Sequence, residues 1–434
     1  MVRAIRKRDG EGDRRRWWRR GLSAVALIAA VIVGMLAGGL AGTVMGTAAV
    51  EERPESVEAV QAQGAAYIDR AAATGDPAFY ARAEQSFDRA DELAPDDPLT
   101  LVGRGALALA RHEFADALDI GQRAVRELPA SPDALGVVVD AEVELGQYDQ
   151  AAEHAQQMLD LRPGLAALAR ASYLRELNGD LAGAQILMAR AERAADGAGP
   201  QRATIAALLG DLQLRLGELD AADDSYQRAK RDTPDLAIAA LGMARLNAAR
   251  GDVNAAVNVL DDLLTRSPMP AAAVLLGELH EQRGDQKAAR DAYALAQAMT
   301  ALQREQGQIV DLELALFEAD HGDSRRAVEL ARAAHRDRPD NVFASDALAW
   351  ALLRAGQPAA ALEHAEAAVR LGTADGLLHY HAAEVFAAAG RAGPASDALT
   401  TALAQPSALV TQRDAVEQLA GELDVALPAG WVQS

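Results

Sequence analysis

No cysteine occurs anywhere in the 434 residues. Thiol catalysis, thiolate metal sites and disulfides are therefore excluded, and the absence is compatible with an oxidising compartment without proving one. Aromatic residues make up only 4 % of the chain. With alanine abundant throughout, that scarcity favours closely packed helices over strands, which draw on β-branched and aromatic side chains. The body carries no net positive charge. The first 20 residues carry +6 of a chain total of -20, which leaves -26 to residues 21–434. Nucleic-acid binders present basic stripes to phosphates, so an acidic body argues against such a partner.

Catalytic motifs are absent as well. There is no P-loop, no GxSxG, no HExxH and no EF-hand loop. The stretch "GRGALA", Gly103–Ala108, matches GxGxxA, but no strand precedes it, and packing glycines on a helix account for it better. Eight histidines are scattered. His379 and His381 stand two apart, on different faces of a helix, whereas zinc needs three or four converging ligands. The acid pairs Asp96/Asp97, Asp223/Asp224 and Asp261/Asp262 fall at turns or helix starts, where they cap and complement the helix dipole. The sequence therefore predicts no enzyme, no metal site and no cofactor.

What is present begins with "RRRWWRRGLSAVALIAAVIVGMLAGGLAGTVMG", Arg14–Gly46. The 30 residues from Gly21 to Val50 carry no charge, and about 20 apolar residues span a bilayer as a helix. The run is too long for a cleavable leader, which favours a retained anchor, with cleavage near Ala49 and secretion as the alternative. Nine basic residues before it place the N-terminus inside and everything after Val50 outside the cytoplasmic membrane. "RRRWW" resembles the twin-arginine export box, although a cytoplasmic charge cluster with interfacial tryptophans explains it more simply. Gly34, Gly38, Gly42 and Gly46 recur every four residues and leave one face flat for helix packing, hence an expected homodimer through the anchor.

The body repeats. Glycine followed five residues later by alanine recurs at Gly146/Ala151, Gly179/Ala184, Gly217/Ala222, Gly251/Ala256, Gly284/Ala289, Gly322/Ala327, Gly356/Ala361 and Gly390/Ala395, and two earlier units have their alanines at Ala83 and Ala117. Spacings are 33 or 34 residues, with 38 at two places. The residue four beyond the alanine is often large, as at Phe87, Met188, Tyr226, Leu260 and Tyr293, and in six units proline stands twelve beyond it and ends the helix. This resembles the tetratricopeptide repeat, a helix-turn-helix of 34 residues. The resemblance implies an all-α right-handed superhelix of about ten units, in which each repeat buries its face against its neighbours. The expected layout is a basic tail at 1–20, a signal-anchor at 21–50, the superhelix at 51–405, and a capping helix and tail at 406–434, the helix itself over 409–421. The four extra residues at Ala195–Arg202 and Thr300–Gln308 are expected to break the superhelix into four, three and three units.

In that family the concave groove is lined by residues 18, 15, 11 and 8 before the alanine. Carried over, these positions give Asp140, Tyr173, Glu176, Asp211, Arg245, Glu278, Glu281, Trp350, Tyr380 and Glu384 as partner-binding candidates. Aromatic anchors ringed by charge suit a peptide or protein partner. Acids outnumber bases among them, so the groove is expected to prefer a polar or basic segment. The function expected is a membrane-anchored protein-interaction scaffold or assembly factor. The segments "LFEADHGDSRRAVELAR" and "DALAWALLRAGQPAAAL" are similar to exported actinobacterial tetratricopeptide proteins. That resemblance implies an alternative, an accessory role in nickel or cobalt transport or metal homeostasis.

Overall fold

The computed structural model describes residues 56–429 except Asp196, together with Trp431. The expected tail and anchor, including Gly34, Gly38, Gly42 and Gly46, lie outside these residues. Among the described residues no helix is long and apolar enough to cross a membrane.

Twenty helices pair into ten hairpins. The first five pair α1 (Val57–Thr74) with α2 (Ala78–Leu93), α3 (Pro98–Ala110) with α4 (Phe114–Glu127), α5 (Pro132–Glu144) with α6 (Tyr148–Leu161), α7 (Leu165–Leu177) with α8 (Leu181–Arg193), and α9 (Pro200–Arg215) with α10 (Leu219–Asp232). The next five pair α11 (Ala237–Ala249) with α12 (Val253–Arg266), α13 (Pro270–Gln282) with α14 (Gln286–Glu305), α15 (Asp311–His321) with α16 (Ser324–Asp337), α17 (Val342–Arg354) with α18 (Pro358–Ala368), and α19 (Gly376–Ala388) with α20 (Ala392–Leu403). A 3-10 turn at Pro406–Leu409 and a last helix α21 (Arg413–Leu423) follow. No strand forms among the described residues.

All ten marker alanines fall on second helices, and none is more than 1 % exposed. They are small because a first helix crosses there. The large residue four beyond fills a slot between two first helices. A Cβ at Gly210 or Gly242 would lie 2.6 or 2.4 Å from the Tyr226 ring, and one at Gly64 or Gly103 2.7 or 2.3 Å from Phe87. We therefore expect Gly242→Ala to destabilise by about 1–3 kcal/mol through overpacking. Urea unfolding checks this. The double variant Gly242→Ala/Tyr226→Leu should recover part of the loss, and additive losses would contradict the slot. Starts and stops are locally encoded: Pro98, Pro132 and Pro200 open helices behind Asp97, Ser131 and Gly199, and the hairpin turns close on left-handed residues, except at Gly322 (φ -129). The second hairpin lacks the turn glycine, and His112 adopts that conformation instead (φ 64). Its Nδ1 lies 2.7 Å from the Ile309 carbonyl oxygen.

That last contact belongs to a series. The hairpin turns of the first five units touch segments between five and six units further along the chain. Ile309 N donates to Arg111 O, Asn341 Nδ2 to Glu144 O, Val342 N to the Tyr148 hydroxyl, Thr373 Oγ1 to Leu177 O and Ser407 Oγ to Leu214 O. The coil thus closes, its second turn seated on its first. Of the two expected breaks, only one loosens the packing. The connector at 195–202 leaves α8 and α9 packed, whereas the second insertion extends α14 to 20 residues and leaves α15 with few contacts to α13 and α14. Among the described residues a small cluster that includes Tyr293, Leu314 and Phe317 bridges that junction, with His321 stacked on Tyr293.

Candidate functional site

Closure turns the concave face into a bore, and the ten candidate residues all lie on the first helices that line it. Seven are buried: Asp140, Tyr173, Glu176, Asp211, Glu278, Trp350 and Tyr380. Arg245, Glu281 and Glu384 are half-buried. An extended partner lying along an open groove would need these side chains accessible, and most of them are instead matched to other side chains of the same chain.

Most of the matches run between successive first helices, with one inside a hairpin and one inside α19. Arg170 on α7 grips Asp140 on α5 through two hydrogen bonds, Nε to Oδ1 at 2.9 Å and Nη2 to Oδ2 at 2.6 Å. Arg215 on α9 donates to Glu176 on α7 at 2.5 Å. The Tyr226 hydroxyl donates to Asp211 at 2.7 Å, Trp350 Nε1 to Asp320 at 2.8 Å, and the Tyr380 hydroxyl to Glu384 at 2.9 Å. His381, wholly buried, stacks on the Trp350 ring at 4.1 Å and faces both Asp346 oxygens at 3.1 Å. Burial opposes charge on that imidazole, but Asp346, with Asp320 and Asp375 behind it, outweighs it and holds the ring above its ordinary value. The partners Arg170, Arg215, Asp320, Asp346 and His381 were missed by position-by-position reading. Their signal was complementary residues 30 to 39 apart, about one repeat, as in Asp140/Arg170 and Glu176/Arg215.

Two buried acids make the fold sensitive to pH. Burial lifts the Glu144 carboxyl to about 7 despite Arg338, and the Asp320 carboxyl to about 6 despite Arg354. Folded, both hold protons that an unfolded carboxyl releases near pH 4. Their contribution is therefore full below about 4 and declines as pH rises from about 4 to 7. The exposed caps Asp180, Asp285 and Asp323, held low by backbone N–H groups, act in the opposite sense below that window. The urea midpoint should thus be higher at pH 5 than at pH 7.5, with Glu144→Gln reducing the difference. A midpoint that falls over this range contradicts the assignment.

The bore is not filled completely. A cavity of about 310 Å³ remains, walled by α9, α11, α13, α14, α15 and the segment 407–411, with the turns of the first two hairpins and the start of α19 also lining it. Asp211, Arg245 and Glu278 reach it from the same register of α9, α11 and α13, eleven residues before Ala222, Ala256 and Ala289. Among the described residues no group of three or more His, Cys, Asp or Glu is placed to hold a metal ion.

Residues 241–303, from α11 to α14, match the tetratricopeptide repeat family model. Comparison with curated proteins finds no match. Among solved structures the chain is similar to a tetratricopeptide repeat protein from Parabacteroides merdae, at 19 % identity over 60 % of this chain and 98 % of that one, TM-score 0.37. It is also similar to the human IFIT1 dimer with m7Gppp-AAAA, at 17 % identity over 74 % and 73 %, TM-score 0.49. A third similarity is to pilF of Pseudomonas aeruginosa, at 17 % identity over 48 % and 95 %, TM-score 0.39. The described chain is an all-α solenoid of helical hairpins with a tetratricopeptide repeat match at its centre, an architecture that presents extended surfaces for protein-protein interaction.

Proposed function

We propose that this chain is a protein-interaction scaffold held at the outer face of the cytoplasmic membrane by residues 21–50, keeping a partner close to the bilayer. Support for the tether comes from the sequence, in the charge-free run and the nine basic residues before it. Only residues 51–56 separate that run from α1, a reach of about 20 Å at full extension.

One observation supports the partner site best. The outer side of α14 exposes Leu295 and Leu302, 41 % and 48 % accessible and seven residues apart, hence on one face of the helix. Exposed apolar residues that line up mark interaction surfaces more often than isolated ones do. The partner is a protein with a complementary apolar strip, and the surface engaged is this convex one, since most of the inward candidates are buried.

In-cell photo-crosslinking from positions 295 and 302, with exposed Ile186 on α8 as the comparison, tests the reading. One dominant envelope protein captured from 295 and 302, and not from 186, is the expected result; equal capture from all three sites defeats it. For the tether, the chain should stay in the membrane fraction after carbonate washing with its N-terminus intact. A mature N-terminus near residue 50 would show that it is cut and released. Replacing Gly34, Gly38, Gly42 and Gly46 together by leucine should abolish crosslinked dimers, and dimers that persist remove the anchor from the interface.

A further inference from the structure

We propose that the bore cavity beside the α13–α15 junction binds a small molecule with an apolar body and a protonated amine, and that Glu278 is the residue that recognises the amine. The cavity has a structural cause. The insertion that lengthens α14 holds α15 away from α13, so the junction is spanned by a few side chains and left open elsewhere. Its volume of about 310 Å³ falls at the lower end of what small-molecule sites occupy, roughly 300–1,000 Å³. Its walls are largely apolar, with Met269, Leu275, Leu314, Phe317, Leu377 and Val410 among them. The exposed Gln297 and the half-buried Gln303 lie along the α14 side.

Into this space comes a carboxylate with one buried oxygen that accepts no hydrogen bond. Glu278 is 7 % exposed, and its Oε1 has no hydrogen-bond partner. The nearest cationic candidate is His321 Nε2 at 3.9 Å, itself without a hydrogen bond. A buried carboxylate oxygen left without a donor is costly, and a ligand that brings N–H donors removes that cost. The sign of the charge follows from the rest of the wall. Asp211, Glu313 and Asp375 also line it, against Arg215 and Arg245. Arg215 is committed to Glu176, and Arg245 acts on Asp211. An anionic ligand would therefore meet an excess of carboxylates, and a neutral one would leave Glu278 as it is.

The inference stands apart from the scaffold reading, which concerns the outer face of α14. Its test is calorimetric titration of the full chain with n-octylammonium, n-octanol and n-octanoate. Saturable one-to-one binding of the ammonium ion is expected, at least tenfold tighter than that of the alcohol or the carboxylate. Glu278→Gln should erase the preference for the amine without lowering the melting temperature, because it removes an unmatched charge. Val274→Trp, which fills space beside the cavity, should weaken all three ligands. No saturable binding by the unmodified chain, equal affinities for the three probes, or an amine preference that survives Glu278→Gln would each overturn the proposal.

Discussion

Replacing Gly146 by alanine should open the closed coil, whereas the same change at Gly251 should cost little beyond the strain of one turn. Both glycines end first helices in the left-handed region, at φ 80 and φ 82, where a side chain costs roughly 1–2 kcal/mol. Their surroundings differ. A Cβ at Gly251 would have nothing within 4 Å, whereas one at Gly146 would lie 2.3 Å from the Asp340 carbonyl carbon and 2.6 Å from Asn341 N. That backbone belongs to the second turn of the coil and cannot swing aside as a side chain can. Moving it strips the Asn341 bond to Glu144 O, the Val342 bond to the Tyr148 hydroxyl and the Arg338 partner of Glu144, whose carboxylate is 8 % exposed. Each hydrogen bond lost between the turns costs about 0.5–1.5 kcal/mol, and displaced backbone adds to that, so the loss at Gly146 should exceed that at Gly251. Urea unfolding measures the two costs, and small-angle scattering should show a larger radius for the Gly146 variant alone. Equal losses with unchanged radii would mean that the closure contributes nothing.

The contrast between these glycines also marks how far a repeat can be read from its sequence. The ten hairpins were legible, because each must bury the same small residue against its own first helix, and that demand reprints the alanine every 34 residues or so. Inward direction at the position eleven before the alanine was legible for the same reason. Closure was not. Whether Gly146 or Gly251 meets the other turn depends on a small rotation added at each unit, and no local pattern records its sum. The groove reading inherited that gap: Asp140 and Trp350 are 5 % and 2 % exposed because side chains of the neighbouring first helices cover them. The two insertions looked alike in length and act differently. One lies in a connector, where the chain absorbs it, and the other extends α14 by about one helical turn, which displaces the next unit. His112 illustrates a further limit, since a non-glycine in a left-handed turn is held there by Ile309, almost 200 residues away.

Arg170→Met should be among the most damaging single changes in the bore, and a second change should largely repair it. Arg170 and Asp140 have side chains 5 % exposed, and the guanidinium lies against the Gly136 backbone, with no room there for a Cβ. Taking the guanidinium away leaves Asp140 charged and buried without its counter-ion, at a cost of about 3–5 kcal/mol. The double variant Arg170→Met/Asp140→Leu removes both charges and keeps apolar volume in the same space, so it should be near the parent in stability or above it. The two single changes are thus strongly non-additive, which a double-mutant cycle in urea reads directly. The pH response separates a charge effect from a packing effect. Burial already raises the Asp140 carboxyl despite Arg170, and without Arg170 the rise must be larger. Arg170→Met should therefore recover more stability than the parent does between pH 7.5 and pH 5, as Asp140 takes up a proton and no longer needs a counter-ion. A double variant as unstable as Arg170→Met, or a single variant indifferent to pH, would place the cost in the shape of the guanidinium over Gly136. In that case the ion pairs along the bore would act as packing units whose charges merely cancel.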